Sequence, residues 1–455
     1  MNRHIFREYD IRGVVKTDLL PETIVALGKA FGTTVKRNGG STVSVGMDAR
    51  ESSESLFKLL SDGIISTGVN VVNIGLVPTP LLYFSVYHLN TDGGVMITGS
   101  HNPPEFNGFK LNLEKDSIHG SGIQALADMI EANDFETGSG SMSETDVIED
   151  YITMVRGKVQ LKRGSKVVVD AGNGCGAIFA PRLLRELGCE VIELFCEVDG
   201  SFPNHHPDPT VPENLEDLIA KVRETGADVG VAYDGDGDRI GIVDEKGGIL
   251  FGDQMMIIYA RDILSRKPGS AIVYDVKCSQ NLEDDIKKHG GRPVINATGH
   301  SLIKARLKKE NAELAGEMSA HIFFKDDYFG FDDALFATAR FLRIMAESDQ
   351  KVSEFLANTP HVVNTPEIRV DCPDNEKFDI VKDITQYFKK DHDVVDIDGA
   401  RVRFGDGWGL IRASNTQPVL VLRFEAQSQE KLDKIKTTFY EKLVTYPAME
   451  GLKPF

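Results

Sequence analysis

An apolar run that stops on an aspartate occurs three times in this chain, and the pattern downstream of it restricts the fold more than any other feature. The runs are "VSVGMD" ending at Asp48, "VVVD" at Asp170 and "AIVYD" at Asp275. A polar loop follows each, then a segment of helical periodicity (55–67, 177–187, 280–288), then a second β-branched run near Val69, Cys189 and Arg292. Strands alternating with helices of this length predict βαβ units and a largely parallel sheet buried on both faces. A third strand in each unit ends in a polar loop: "GGVMITGSHNP" with Ser100, "ADVGVAYDGDGDR" with Asp234 and "AELAGEMSAH" with Glu317. These lie at comparable distances past the unit's first aspartate. Three topologically similar α/β domains with mixed, largely parallel sheets are therefore expected, each offering a loop from the same strand end. Open α/β sheets bind ligands at the carboxyl ends of their strands, so the three loops are expected to converge on one cleft.

Near residue 360 the rhythm changes. "TPEIRVDC", the helical "FDIVKDITQYFKK", the turn-linked "DVVDIDGARVRF", then "GWGLIRAS", "VLVLRFEA" and a final amphipathic helix predict βαβββα, a smaller C-terminal α+β domain with an antiparallel sheet. The acidic, Ser-rich "ETGSGSMSETD" (136–146) reads as the first linker and "ANTPHVVNTP" (357–366) as the last. The expected domains are 1–146, 147–250, 251–360 and 361–455.

Composition enters by excluding partners. The formal net charge of -18 argues against nucleic-acid backbones and anionic membranes, while leaving a small anion open. The opening "MNRHIFREYD" lacks a signal-peptide core, and no stretch approaches a membrane span. Five cysteines (Cys175, Cys189, Cys196, Cys278, Cys372) without a CxxC pair read as packing thiols in a reducing cytoplasm.

The loops carry the chemistry. In Asp234-Gly235-Asp236-Gly237-Asp238-Arg239, three carboxylates alternate with glycines, so a bent backbone can aim all three at one point. Their repulsion is offset by a cation, and all-oxygen ligation suits Mg²⁺ or Ca²⁺; a solvated acidic turn is the competing reading. Around Ser100, the turn formers of "TGSHNPPEFNG" bring together a hydroxyl, the His101 imidazole and the Lys110 ammonium, where a capped turn is the plainer alternative. Glu317, Ser319 and His321 could bracket sugar hydroxyls or make a structural turn. Arg412, Ser414, Asn415 and Thr416 supply a guanidinium with hydroxyl and amide donors, an anion cradle or an ordinary turn. Lys277 and His300 lie on loops at the edge of the third unit's sheet. A hydroxyl, a hard-metal triad, a polyol bracket and an anion cradle together point to phosphoryl transfer on a phosphorylated sugar.

"TGSHNP", "DGDGDR", "GEMSAH" and "RASNTQP", in this order, resemble the α-D-phosphohexomutases, as does the N-terminal "FREYDIRG". "GEMS" is most similar to the phosphomannomutase/phosphoglucomutase branch. The resemblance covers essentially the whole chain and implies four domains around a central cleft. It implies a phosphoserine at Ser100, Mg²⁺ ligands at Asp234, Asp236 and Asp238 with the Ser100 group, sugar contacts at Glu317 and Ser319, and a phosphate site at Arg412, Ser414, Asn415 and Thr416. Lys110, His300, His321, Lys277, Arg239, Arg12 and Tyr9 match positions around the transferring group and substrate. Ala320 departs from the commoner glycine of "GEMSGH". The implied reaction moves a phosphoryl group between the 1- and 6-positions of mannose or glucose phosphates through glucose 1,6-bisphosphate or its mannose counterpart. Lys110, Arg239 and His101 would assist, and His300 would act as acid or base. The expected partners are small hexose phosphates, and the expected state is a cytoplasmic monomer. A phosphoglucosamine mutase shares the serine and aspartate loops and is the alternative. A non-catalytic sugar-phosphate-binding paralogue is the more distant one, though it would be expected to lack the serine or an aspartate.

Overall fold

The computed structural model describes every residue except Thr416. The three sequence units fold as three sheets with one shared order. The first unit has strands Thr42–Met47, Asn70–Leu76 and Gly93–Ile97 and a return strand Phe106–Leu113. The second has Lys166–Asp170, Glu190–Leu194, Val229–Tyr233 and Ile240–Asp244; the third has Ala271–Asp275, Arg292–Asn296, Leu314–Gly316 and Ile322–Phe324. In each sheet the order runs return, third, first, second. The first three strands are parallel, and the return strand alone runs antiparallel. The apolar runs explain the burial: every residue of Gly93–Ile97, Val229–Tyr233 and Ala271–Asp275 is buried, as central strands covered on both faces require.

Two segments depart from the sequence expectation. The stretch 136–146 is more than a linker, because Met142–Glu144 pairs in parallel with Asn70–Leu76 and extends the first sheet. In the last domain, 393–404 is two strands. Asp393–Val395 and Ala400–Arg403 pair antiparallel around a turn whose Gly399 has φ +81°, so the pattern gains a strand over βαβββα. The turn is legible in the sequence, but the arm before it is only three residues long and does not stand out as a strand of its own. The sheet of this domain is antiparallel throughout, and it also takes in Val363–Asn364 from the expected last linker.

One apolar cluster runs through three units without a break. It joins Leu81, Tyr83 and Phe84 of the first to Val167, Phe179 and Ile240 of the second and Ile257, Leu335 and Phe341 of the third. Each such side chain contributes about 1.5–3 kcal/mol on burial, so these units are bonded by much the same force that folds them. The C-terminal domain has a separate core around Ile384, Phe424 and Phe439. Its apolar contact with the third unit is the small group Val276, Trp408 and Leu410. No helix among the described residues is long and apolar enough to cross a membrane.

Candidate active site

The loop after Gly93–Ile97 holds Ser100 in a left-handed conformation, φ +50°, that a serine adopts only under constraint. The constraint comes mainly from Arg50, which is 2% exposed. Its guanidinium donates to the carbonyls of Ser100 (2.7 Å), Asn102 (2.6 Å), Pro103 (2.6 Å) and Phe106 (3.0 Å). Asp48, the aspartate that ends the first strand, holds Arg50 Nε at 3.1 Å and accepts the Gly99 amide at 3.1 Å. Thr98 Oγ1 accepts the Ser100 amide at 2.8 Å. The serine is buried rather than projecting freely, and its Oγ donates to Asp234 Oδ2 at 2.9 Å. His101 Nδ1 lies 3.2 Å from Ser100 Oγ, and burial, helped by Arg239 and Arg12, pushes that imidazole toward its neutral form. Arg12 reaches this loop through Asn102 Oδ1, 3.0 Å away.

Asp234, Asp236 and Asp238 are fully buried, and each offers a carboxylate oxygen within 4.8 Å of the other two. Gly235 is needed for the approach, since a Cβ there would lie 2.5 Å from the Ser100 carbonyl. Asp234 Oδ1 accepts the amides of Asp238 (3.0 Å) and Arg239 (3.1 Å), which curls the loop. Lys110 from the return strand sits between Asp236 (2.7 Å) and Asp238. Burial opposes its charge, yet the two carboxylates hold its pKa well above the ordinary lysine value. Burial and its two neighbours push Asp234 up. Among the described residues, Asp236 Oδ1 and Asp238 Oδ1 are buried without a hydrogen bond, His321 Nε2 lying 3.4 Å from the latter. Buried carboxylate oxygens aimed at one point fit a hard cation such as Mg²⁺.

The third loop meets this group from the other side. Glu317, 1% exposed, accepts the Gly299 amide at 2.6 Å and pairs with His321 Nδ1 at 3.0 Å. Ser319 Oγ lies 3.1 Å from the same nitrogen, and Arg239 Nε lies 3.3 Å from His321 Nε2. Burial disfavours the His321 cation, but Asp238 outweighs it, and the pKa rises to about 9. His300 begins the helix His300–Glu310, its ring stacked 5.7 Å from that of His321. Its Nδ1 is 3.5 Å from buried Asp332, and burial pushes its pKa down despite that carboxylate. The two histidines thus differ in charge preference while lying side by side.

The last domain closes the ring. Arg412 Nε donates to Asp398 Oδ2 at 2.9 Å, and Ser414 Oγ accepts the Gln417 amide at 3.2 Å. Asn415 Nδ2 donates to the Tyr9 hydroxyl at 2.8 Å, linking the last domain to the first; Thr416 lies outside the described residues. Burial pushes Tyr9 up to about 12, so it stays a neutral phenol. Lys277 pairs with Glu367 at 3.2 Å across the same seam.

Several supporting residues escape a motif reading. Arg50 follows Asp48 by two positions, and nothing local shows that its partners lie fifty residues on. Asp275 repeats the Asp48 arrangement, accepting the Met318 amide at 3.2 Å, so the strand-ending aspartates anchor the Ser100 and Glu317 loops alike. Thr79 Oγ1, which donates to Asp236 at 2.5 Å, Asp332 and Asp398 carry no sequence signal beyond residue type.

Comparisons with known proteins follow the same division of the chain. The phosphoglucomutase/phosphomannomutase alpha/beta/alpha domains I, II and III match residues 3–137, 149–248 and 251–362, and the C-terminal domain matches 367–442. A phosphomannomutase/phosphoglucomutase of Pseudomonas putida is 48% identical over 97% of this chain and 95% of its own. A phosphoglucomutase of Neisseria gonorrhoeae is 44% identical over 96% of each chain. The crystal structure of a phosphoglucomutase/phosphomannomutase family protein from Burkholderia thailandensis superposes with a TM-score of 0.93 at 44% identity, covering 100% of both chains. A fold of three matching units and one smaller domain, matched end to end at this identity, places the chain in the phosphoglucomutase/phosphomannomutase family.

Proposed function

We propose that this hexose phosphate mutase, an isomerase, interconverts the 1- and 6-phosphates of mannose and glucose through a phosphoryl group carried on Ser100. The observation that carries the reading is the Ser100 hydroxyl 2.9 Å from Asp234, within a buried carboxylate triad. In the first half-reaction the free sugar hydroxyl attacks the phosphorus on Ser100. The new O–P bond forms as the Oγ–P bond breaks, and the sugar hydroxyl's proton passes to His300, which burial keeps neutral and able to accept it. The product is a hexose 1,6-bisphosphate, glucose 1,6-bisphosphate in the glucose case. In the second half-reaction the turned bisphosphate returns its other phosphoryl group to Ser100, and the proton goes back to the sugar oxygen released.

Asp234, Asp236 and Asp238, with the Ser100 group, would hold Mg²⁺, which supplies charge neutralisation to the transferring phosphoryl. Lys110 and Arg239 add fixed positive charge beside it. Glu317, Ser319 and His321 hold the middle of the sugar, and Arg412, Ser414, Asn415 and Thr416 grip the phosphate that is not reacting, with Lys277, Tyr9 and Arg12 around it. We place the domain limits at 146, 250 and 360.

Mannose and glucose differ only at C2, and that hydroxyl changes place when the sugar turns end for end. A buried partner dedicated to it would be left unpaired in one pose, at a cost of about 1–3 kcal/mol. Coupled assays should therefore give kcat/KM values for the two sugars within roughly 100-fold of each other. Glucosamine 6-phosphate should be poorer, because its ammonium would be desolvated without a carboxylate placed for it. A best rate with glucosamine would instead favour a phosphoglucosamine mutase. A chain that binds these sugars without turnover would be a sugar-phosphate-binding paralogue.

A further inference from the structure

Thr298, two residues before His300, is held from three sides by its amide, its carbonyl and its hydroxyl. Its amide donates to Asp398 Oδ2 at 3.1 Å, and that same oxygen accepts Arg412 Nε at 2.9 Å. Its carbonyl accepts the Tyr9 hydroxyl at 2.8 Å, and Tyr9 in turn receives Asn415 Nδ2. Its Oγ1 donates to Asp275 at 3.0 Å, and the next amide, of Gly299, goes to Glu317. Gly299 has φ +133°, and a Cβ there would lie 2.6 Å from the Tyr9 ring, so the segment is pressed against the first domain. Asp398 is equally confined. A Cβ on Gly399 would fall 2.1 Å from the Ile411 carbonyl and 2.8 Å from Arg412 Cα, so the Asp398–Gly399 turn lies flush on the strand that carries Arg412. With Asp398 14% and Arg412 8% exposed at the side chain, this carboxylate spans the third and fourth domains inside the seam.

We propose that Asp398 is a positioning residue that couples the grip of Arg412 on the distant phosphate to the placement of His300 and Glu317 at the reacting end. Asp398 fixes Arg412 through Nε, which leaves the two terminal nitrogens of the guanidinium for a phosphate. Through Thr298 it seats the loop that opens the His300 helix. A phosphate that draws Arg412 into place therefore also draws the acid–base histidine and the sugar carboxylate into register. The inference rests on the cradle and acid–base roles proposed above.

The test compares Asp398→Ala, Asp398→Asn and Arg412→Ala in the full-length enzyme with glucose 1-phosphate. Asp398→Ala should lower kcat about tenfold or more while KM stays within about threefold, because the binding nitrogens remain but alignment is lost. Phosphorus NMR should show more free bisphosphate per turnover. Asp398→Asn keeps an oxygen acceptor for both donors, so it should recover a large part of kcat. It also serves as the test variant should the alanine form fold poorly. Arg412→Ala should raise KM and lower kcat together. Wild-type kcat and bisphosphate retention in both Asp398 variants, or a change confined to KM, would overturn the coupling while leaving the cradle intact. An unaffected Arg412→Ala would instead remove the cradle reading itself.

Discussion

The seam between the first three domains and the seam to the fourth are made of different materials. The first is the continuous apolar cluster in which Phe84, Phe179 and Leu335 share one core. At the second, the apolar share shrinks to Val276, Trp408 and Leu410, and charge takes over. Arg401 donates to the carbonyls of Val276 and Cys278 at 2.7 Å and stacks 3.9 Å over Trp408. Glu425 accepts both Trp408 Nε1 and the Gln280 amide at 2.9 Å, and Arg403 pairs with Glu283. Among the described residues, Arg401 Nε, Arg423 Nε and Glu425 Oε2 are buried there without a hydrogen bond. Opening the apolar seam would expose surface that water does not welcome. Opening the polar one exchanges hydrogen bonds with water at small net cost and satisfies atoms now left unpaired. The lesson is a division of labour: the groups proposed to react sit on the part bonded by apolar surface, and the proposed phosphate grip sits behind the seam that costs less to open.

The largest effect should come from the bonded side. Ser100→Ala should lower activity by about 10⁴-fold or more, on the order of 5.5 kcal/mol, while the chain stays folded. Alanine bears the same left-handed strain as serine, and the hydrogen bond lost to Asp234 should cost about 1–3 kcal/mol, lowering the thermal transition slightly. Intact-mass spectrometry should find one phosphate on the wild type and none on the variant. Turnover at the wild-type rate would break the assignment of chemistry to this side.

Trp408→Ala probes the movable side. Removing this side chain, 1% exposed, stacked on Arg401 and packed with Val276 of the third domain, should cost about 3–5 kcal/mol locally. Calorimetry should then show a separate, earlier transition for the C-terminal domain, with the rest of the chain melting near its original temperature. A single transition shifted as a whole would erase the contrast between the two seams.

Ala320→Gly should do least. Ala320 has φ +66°, a region where glycine is unstrained, but the buried methyl and the stiffer unfolded chain both favour alanine. These terms oppose one another, so stability should stay within about 1 kcal/mol of the wild type and KM within about twofold. A change above about 2 kcal/mol would show that strain in the sugar loop contributes to its function.

Much of this molecule is legible in its sequence. The aspartate-ended strands and their polar loops set out three like units, since strand-end chemistry is local and the apolar runs are unbroken. The alternation of aspartate and glycine in 234–238 gave the carboxylate triad for the same reason. The features that escaped depend on contacts between distant segments. Arg50 has meaning only once residues 100–106 fold back over it, and Asp398 only once Thr298 and Arg412 flank it. The extra strand Asp393–Val395 is too short to register as a strand beside a turn the sequence already marks. Opposite charge preferences arise because burial prevails at His300 despite Asp332, while Asp238 prevails over burial at His321; neither aspartate is a sequence neighbour of its histidine.

The clamp of Arg50 on the carbonyls around Ser100 also sets a length scale. On the roles proposed above, a serine that cannot swing is the fixed jaw of a caliper, and the guanidinium of Arg412, tethered to Asp398, is the jaw carried by the fourth domain. A substrate would then present its phosphate to one jaw and its free hydroxyl to the other, whichever way round it lies. A hexose spans them with O1 and O6. A five-carbon sugar phosphate, one carbon shorter, is expected to fit less well, a selection by span that acts before any hydroxyl between the ends is read.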